Sequence, residues 1–114
     1  MPYIKESNRL NLDPTIEHLA FKIIEQIDHD YVKYSDSDSY SLTPEHLGQL
    51  LGDINYSVSR LISKIMGTPT YPKIAMVTGV LENIKQEYYR RVAEPYEDMK
   101  IRQNGDIKEY KGLI

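Results

Sequence analysis

The residues of this sequence best suited to chemistry are its histidines and the aspartates near them. His29 is followed directly by Asp30, while His18, His46 and Asp53 lie elsewhere in the chain. Histidine and carboxylate ligands from several helices can hold a divalent ion that activates water for phosphate-ester hydrolysis. A minimal metal-dependent phosphohydrolase using His29 and Asp30 is therefore one hypothesis. We rank it second, because such domains need more helices around the ion and an exposed histidine at a helix end is ordinary.

Other sequence motifs do not specify a reaction. The polar segment 35–42 is predicted to be an exposed loop, and its Asp36 and Asp38 imitate the first positions of a calcium loop. Ser41 and Leu47 stand where that loop needs a glycine and a bidentate glutamate, so the motif is rejected. The sequence has no cysteine and no glycine-rich phosphate loop. We therefore assign no catalytic residue, no cofactor and no metal site, and we expect a protein that is not an enzyme.

Aromatic and cationic side chains are concentrated at two places on the expected helices. Tyr56 and Arg60 lie one turn apart in the second helix, and Tyr89, Arg90 and Arg91 lie near the end of the third. A tyrosine ring offers a stacking surface, and guanidinium groups suit phosphate or carboxylate. Because the connector between these helices is short, we expect both groups at one end of the domain, binding a nucleotide-like anion or an acidic protein segment. Alternatively, these arginines only complement a helix C-terminus or anchor a protein interface.

The second helix combines an apolar stripe with a face of small residues. Its aliphatic residues recur at helical spacing and fall within one arc: Leu47, Leu50, Leu51, Ile54, Val58, Leu61, Ile62 and Ile65. The opposite side includes Gly52, Ser59 and Ser63, where a solvated face would more often carry Glu and Lys. Glycine inside a helix costs about 1 kcal/mol against alanine, so this face suggests that another backbone approaches closely. We expect a homo-oligomer formed through this face of small residues. The alternative is that the face is simply exposed and tolerates many residue types.

Two capping signals mark the starts of the first two helices. Asp13-Pro14 and Thr43-Pro44 each combine a capping side chain with a proline at the first helical position. The first helix is expected to run to about Asp30, or as far as Tyr34. The second is expected to end at Gly67, since glycine is the usual residue after a helix.

The third helix and the tail leave two interpretations open. A stripe that begins at Ile74 predicts a helix that ends before Pro95. Asn104-Gly105 is the dipeptide most favoured in two-residue hairpin turns, so residues 99–110 are predicted to form a small β-hairpin. The alternative carries the third helix past Pro95 and uses Gly105 as its C-cap.

These elements predict a mainly α fold, a three-helix domain with a small C-terminal β-hairpin. With 114 residues the chain fits a single domain, 1–114, with one modest core. The residues expected in that core are Leu50, Ile54, Val58, Leu61, Leu81 and Ile84.

Composition and charge limit the expected cellular location and the possible partners. No apolar run approaches the roughly 20 residues of a membrane span, so we expect a soluble protein that does not enter the membrane. The opening residues lack the apolar segment of a secretory signal, which favours the cytoplasm. The formal net charge of −3 argues against nucleic acid as the main partner.

Three stretches of the sequence together resemble an uncharacterised family of small phage and prokaryotic proteins. They are MPYIK at the start, GDINYSVSRL in the second helix, and GVLENIKQEYYRRVAEPYED followed by NGD. The resemblance implies a compact cytoplasmic domain, in the host cytoplasm if phage-encoded, and supplies no catalytic residues. Phages use small helical oligomers to bind host proteins or to sequester nucleotide signals of host defence. By that analogy we expect a non-catalytic binding protein whose partner is a host protein or a small anionic ligand.

Overall fold

A computed structural model describes residues 2–27 and 44–113, and these residues are mainly helical. The helices are α1 (Glu6–Glu25), α2 (Pro44–Met66), α3 (Tyr71–Tyr88) and α4 (Glu94–Asn104). A π-helical turn, Tyr89–Ala93, joins α3 to α4 without a break, so the described residues contain three helical segments and no strand. The predicted mainly α fold is confirmed, and the predicted hairpin is not.

The β-hairpin predicted for residues 99–110 is wrong, because α4 continues through its first half. Gly105 ends α4 with a φ of +83°, and its N–H donates to the carbonyl of Ile101 at 2.8 Å. Turns follow at residues 108–112. A left-handed φ favours glycine both in a hairpin turn and directly after a helix, so Asn104-Gly105 is typical of either structure. The alternative interpretation, with Gly105 as a C-cap, is the one that the structure shows.

Pro95 does not end the third helix, because the π-helical turn lies directly before it. The N–H of Glu94 donates to the carbonyl of Tyr89, five residues earlier, instead of four as in an α-helix. In a regular helix the proline ring clashes with the carbonyl four residues before it, here that of Arg91. A π turn inserts one residue and moves that carbonyl away from the ring. The prediction that the helix stops before Pro95 is therefore wrong.

α1 begins earlier than predicted and contains the proline that was expected to start it. It runs from Glu6 to Glu25 with Pro14 inside, and a turn follows at residues 26–27, so its end also comes before the predicted Asp30. The Asp-Pro signal is local, whereas Glu6 complements the helix dipole in the first turn of α1. Tyr34 and the predicted loop at 35–42 lie outside the described residues.

The end of α2 agrees with its sequence signal, whereas α3 begins at Tyr71, inside the segment predicted to be a connector. Thr43, the predicted cap of α2, lies outside the described residues. Gly67 follows α2 with a φ of +66°, and its N–H donates to the carbonyl of Ser63 at 3.1 Å. At the start of α3, the side-chain oxygen of Thr70 accepts a hydrogen bond from the N–H of Lys73 at 3.4 Å. These caps satisfy backbone groups that helix ends leave unpaired.

The chain divides into two compact units. One consists of Met1–Tyr3 with Thr70–Ile114, and the other of Ile4–Pro69. Within Ile4–Pro69, α1 contacts α2. Within the other unit, the π-helical turn contacts both α3 and α4.

The residues predicted to form a core are accessible to solvent in the single chain. No apolar side chain among the described residues is buried; Ile54 is 49% exposed, Leu61 57% and Ile84 56%. Leu50 is half-buried. The prediction of a buried core is therefore wrong for the single chain. Helical periodicity identifies which side chains share an apolar face, but it does not identify what covers that face.

Candidate functional site

A continuous row of exposed aliphatic side chains runs along α2. Successive members alternate between spacings of four and three residues, which is the a and d pattern of helices that pack against one another. We call this row the α2 seam: Leu47, Leu51, Ile54, Val58, Leu61 and Ile65. Each member is between 37% and 68% exposed. α2 is the most strongly amphipathic of the described α-helices, so the seam is the clearest apolar contact surface among them.

The two flanks of the α2 seam differ in how much they are covered. On one flank Leu50, Asp53 and Ser57 are half-buried, and the Asp53 oxygen Oδ2 is buried with no partner among the described atoms. On the other flank Gly48 and Asn55 are exposed. Apart from the neighbouring backbone of α2 itself, no described atom lies within 4 Å of a Cβ placed on Gly48. This flank is thus open beside Gly48 and Asn55, whereas Ile62 and Met66 farther along it are half-buried.

The predicted oligomer face of α2 is exposed as well. Apart from the neighbouring backbone of α2 itself, no described atom lies within 4 Å of a Cβ placed on Gly52, so the close backbone approach inferred from this glycine does not form within the described part of the chain. The hydroxyl of Ser59 donates to the Asn55 Oδ1 atom at 3.3 Å. Contact between copies through Gly52, Ser59 and Ser63 stays a prediction.

Tyr56 and Arg60 line an open hollow on this same side of α2. The Arg60 Cζ atom lies 6.0 Å from the centre of the Tyr56 ring, and the Arg60 Nη1 atom donates to the Tyr56 hydroxyl at 3.5 Å. The hollow measures about 460 Å³ and is lined by Tyr56, Ser59, Arg60, Ser63 and Lys64. Lys64 was missed at the sequence level, although its spacing of four residues from Arg60 puts both cations on one helix face.

Arg90, in the π-helical turn, is already paired with a carboxylate. Its Nη2 atom donates to the Glu87 Oε1 atom at 2.6 Å, and the Tyr3 hydroxyl donates to the same oxygen at 3.1 Å. The hydrogen bond from Arg90, and then that from Tyr3, hold the pKa of the Glu87 carboxyl below its ordinary value of 4.5. The same bond raises the pKa of the Arg90 guanidinium. A ligand would have to compete with Glu87 for this arginine.

A second hollow in this unit adjoins that ion pair. It measures about 250 Å³ and is lined by Pro2, Asn83, Gln86, Glu87 and Arg90. Its polar groups are two neutral amides and a carboxylate and guanidinium that neutralise each other. The hollow therefore offers hydrogen bonds and little net charge to a ligand.

Tyr89 and Arg91, which flank Arg90, have different surroundings. The Tyr89 hydroxyl donates to both oxygens of the Glu97 carboxylate, at 3.2 and 3.1 Å, and this acceptor raises the pKa of the tyrosine above 10.0. Arg91 makes no hydrogen bond and no ion pair with any described residue. Of these three predicted ligand residues, only Arg91 has its side chain uncommitted within the described part of the chain.

The two halves of the predicted ligand site belong to different units. Tyr56 and Arg60 lie in Ile4–Pro69, and Tyr89, Arg90 and Arg91 lie in the unit that contains α3 and α4. The contacts given above for each half are contacts within its own unit. The expectation that they form one site stays a prediction.

The residues of the second-ranked hypothesis, His29 and Asp30, lie outside the described residues. Within 2–27 and 44–113, no group of three or more His, Asp or Glu residues is arranged to hold a metal ion. In the same ranges no helix is long and apolar enough to cross a membrane.

Comparison with known proteins gives a family and no relative of established function. No curated protein and no solved structure matches the chain. The sequence model of a family described as a domain of unknown function, DUF6899, matches residues 1–107, which include all the helices described above. This match confirms that the chain comes from an uncharacterised family. Because it covers nearly all of the 114 residues, the chain belongs to the DUF6899 family.

Proposed function

We propose that this chain is a non-catalytic binding protein that associates with a second copy of itself through the α2 seam. The observation that carries the proposal is the exposure of all six aliphatic residues of the seam, at a and d spacing, in the single chain. Apolar area left in water is unfavourable, and this spacing is the one at which side chains of two helices interlock. The proposal makes the α2 seam the oligomer face, in place of Gly52, Ser59 and Ser63.

The free energy available from the α2 seam is of the size that association requires. Full burial of an aliphatic side chain contributes about 1.5–3 kcal/mol, so a half-exposed one contributes roughly 1 kcal/mol when it is covered. A symmetric contact covers the six seam residues of both copies, and their burial therefore contributes on the order of 12 kcal/mol to association. Association of two proteins costs about 4–15 kcal/mol. Burial of the seam thus decides whether the dimer forms.

Sedimentation of a seam variant and a matched control tests this proposal. Ile54→Lys places a charge in the seam, and Gln49→Lys places the same charge on the opposite, exposed side of α2. We expect wild type and Gln49→Lys to be dimers at high micromolar concentration, and Ile54→Lys to be a monomer with unchanged helical content. Monomeric wild type under these conditions would contradict the proposal.

The arrangement of Tyr56, Arg60 and Lys64 favours a second candidate function, capture of a small anion in the α2 hollow. Two cations and one aromatic ring line this open hollow. A nucleotide-like anion suits this set, since its base can stack on the ring and its phosphates can meet the cations. Because the hollow is open, salt should weaken binding.

Calorimetry against a panel of nucleotides and cyclic dinucleotides tests the anion site. Arg60→Gln and Lys64→Gln should each weaken binding, while Arg91→Gln in the other unit should leave it unchanged. If Arg91→Gln weakens binding as well, the earlier prediction that combines both units gains support. Absence of heat with every member of the panel would contradict this function.

The proposed setting is the cytoplasm of a prokaryotic or phage-infected cell, in an accessory role that includes binding of a host protein. It is supported by the sequence resemblance and by the analogy with small helical phage oligomers. The competing proposal, a phosphohydrolase using His29 and Asp30, is tested by metal analysis of protein purified without a chelator. A bound stoichiometric metal ion, lost on His29→Ala, would favour that proposal over the binding protein.

A further inference from the structure

We infer that the second copy also covers an apolar row on α3 and α4, so that the contact between copies extends beyond the α2 seam. The inference rests on the proposed self-association and names a second surface that takes part in it. We call this surface the α3 row: Ile74, Leu81, Ile84, Tyr88, Val92 and Tyr96. Each member is between 41% and 66% exposed in the single chain.

The π-helical turn keeps the α3 row on one side of the helix from α3 into α4. Within α3 its members, together with half-buried Val77, recur at alternating spacings of three and four residues, as a and d positions do. Tyr88 and Tyr96 are eight residues apart, which in a regular α-helix would place them about 80° apart around the axis. Tyr89 and Glu97 have the same spacing across the same turn, and they are hydrogen-bonded at 3.2 and 3.1 Å. The turn therefore brings Tyr96 into line with Tyr88 as well.

The side of α3 away from this row already has contacts within its own unit. It lines the hollow of about 250 Å³ described above. There the half-buried Glu87 accepts hydrogen bonds from Arg90 and from Tyr3. The α3 row has no such contacts, and its apolar side chains stay in water until a partner covers them. The row is therefore the side of α3 that is available to a partner.

The apolar area of the two surfaces indicates that a stable dimer uses both. Full burial removes about 60–120 Å² of an aliphatic side chain from water, and about 150–250 Å² of an aromatic one. At the observed exposures the α2 seam offers roughly 300 Å² per copy, and the α3 row roughly 400 Å². A standard-size interface buries about 800 Å² per partner. The seam alone falls well short of that area, whereas seam and row together come close to it.

The absence of charge in the α3 row favours a second copy as its occupant. No member of the row is charged, so the row meets none of the like-charge repulsion that a symmetric contact imposes on charged surfaces. An acidic or basic segment of another protein would find no opposite charge in the row itself. A second copy brings exposed apolar rows of the same spacing, which are the surfaces that such a row packs against. The two tyrosines also suit an interface between copies, where aromatic residues are enriched.

Alkylation of single-cysteine variants tests whether the second copy covers the α3 row. The chain has no cysteine, so the introduced thiol is the only one. Ile84→Cys places it in the row, and Ala75→Cys, nine residues earlier, places it on the opposite, exposed side of α3. We expect Ile84→Cys to react with iodoacetamide several-fold more slowly at high micromolar concentration than after dilution to the monomer. Ala75→Cys should react equally fast in both conditions.

Sedimentation of two lysine variants adds a test that needs no thiol. Ile84→Lys should raise the Kd of the dimer at least ten-fold, because it places a charge in an apolar contact. Ala75→Lys adds the same charge to the opposite side of α3 and should leave the Kd unchanged. Circular dichroism checks that both variants keep the helical content of wild type. Equal Kd values for the two variants would overturn this inference.

The outcomes separate this inference from the proposed self-association. If Ile84→Cys sediments as a dimer and still reacts at the rate of its diluted form, this inference alone is overturned. In that case the dimer leaves the row in water, or a segment of the same copy covers it. If Ile84→Cys is a monomer while Ala75→Cys is a dimer, the dimer needs the row, which supports the inference. If wild type itself sediments as a monomer, the proposed self-association fails too.

Discussion

Tyr89 and Glu97 are eight residues apart, yet the tyrosine hydroxyl reaches both carboxylate oxygens at 3.2 and 3.1 Å. In a regular α-helix, residues eight apart differ by about 80° around the axis, whereas residues seven apart differ by only about 20°. The π-helical turn absorbs one residue, so that Tyr89 and Glu97 come to lie on one face. The turn that accommodates Pro95 therefore also aligns this pair.

Removal of the Glu97 charge should lower the pKa of Tyr89 toward 10.0. The Glu97 carboxylate accepts the hydroxyl hydrogen bond and adds a nearby negative charge, and both effects raise the pKa of the tyrosine. Its pKa is raised in the folded state, so the bond contributes to stability below pH 10.0 and is lost as pH rises through the raised value. Tyrosinate absorbance, wild type minus Tyr89→Phe, measures the titration.

In this experiment Glu97→Gln should move the Tyr89 titration to lower pH, and Glu109→Gln, at a carboxylate that does not shift the pKa of Tyr89, should not. An unchanged titration in Glu97→Gln would mean that the hydrogen bond does not persist in solution.

Alanine should stabilise the chain more at Pro14 than at Pro95. Pro14 lies inside α1 without a π turn, so it removes a helix hydrogen bond, and its replacement by alanine contributes up to about 3 kcal/mol. Pro95 stands directly after the π turn, which moves the clashing carbonyl away from its ring, and we expect less than about 1 kcal/mol there. Denaturant unfolding of both variants measures the difference, and equal gains would contradict this account of the π turn.

The contact among Tyr3, Glu87 and Arg90 should weaken in acid. The pKa of the Glu87 carboxyl is held below 4.5 in the folded state. The contact therefore contributes fully to the stability of the fold above pH 4.5, and this contribution disappears as pH falls through the lowered pKa. Arg90→Gln removes the main cause, and the pKa of Glu87 should then rise toward 4.5. Carboxyl NMR titration of Glu87 measures it, with Arg91→Gln as the control that keeps the short hydrogen bond. A larger rise in Arg91→Gln than in Arg90→Gln would contradict the pairing.

Capping signals and apolar periodicity predicted the helices well where both agreed. α2 was identified by Thr43-Pro44, its aliphatic row and Gly67, and α3 by its own stripe. The signals failed where one dipeptide is compatible with two structures. Asp13-Pro14 is typical of a helix start but lies inside α1, and Pro95 follows a π turn that no periodicity argument detects. Asn104-Gly105 is typical of both a hairpin and a helix end.

The residue types of the candidate site were predictable from the sequence, but which of these residues lie together was less so. Tyr56 and Arg60 were identified from their spacing along one helix, and they do lie together. Arg90 was identified as a cation. Its ion pair with Glu87 follows ordinary helical spacing of three residues, whereas the hydrogen bond from Tyr3 to Glu87 joins residues far apart in the chain and was not predictable. Exposure of the α2 seam was not predictable, because an aliphatic stripe looks the same in a sequence whether its cover comes from the same chain or from another copy.

The last prediction separates a helix cap from a hairpin turn at Asn104-Gly105. A two-residue hairpin turn of the favoured type needs positive φ at both central residues. In the structure Asn104 is the last residue of α4, and positive φ among the described residues is confined to glycines, including Gly105 at +83°. With a ψ of 158°, Gly105 occupies a region that is essentially glycine-only, so Gly105→Ala should cost about 1–3 kcal/mol.

Asn104→Ala should be neutral or slightly stabilising, because alanine is the better helix former at a helical position. Gly79→Ala serves as the matched control. Gly79 lies within α3, and no described atom beyond the neighbouring backbone of that helix lies within 4 Å of its added Cβ. Alanine there should raise the stability by about 0.5–1 kcal/mol. Denaturant unfolding compares the three variants. The helix cap requires a loss at Gly105 and none at Asn104, whereas comparable losses at both positions would indicate the hairpin turn in solution.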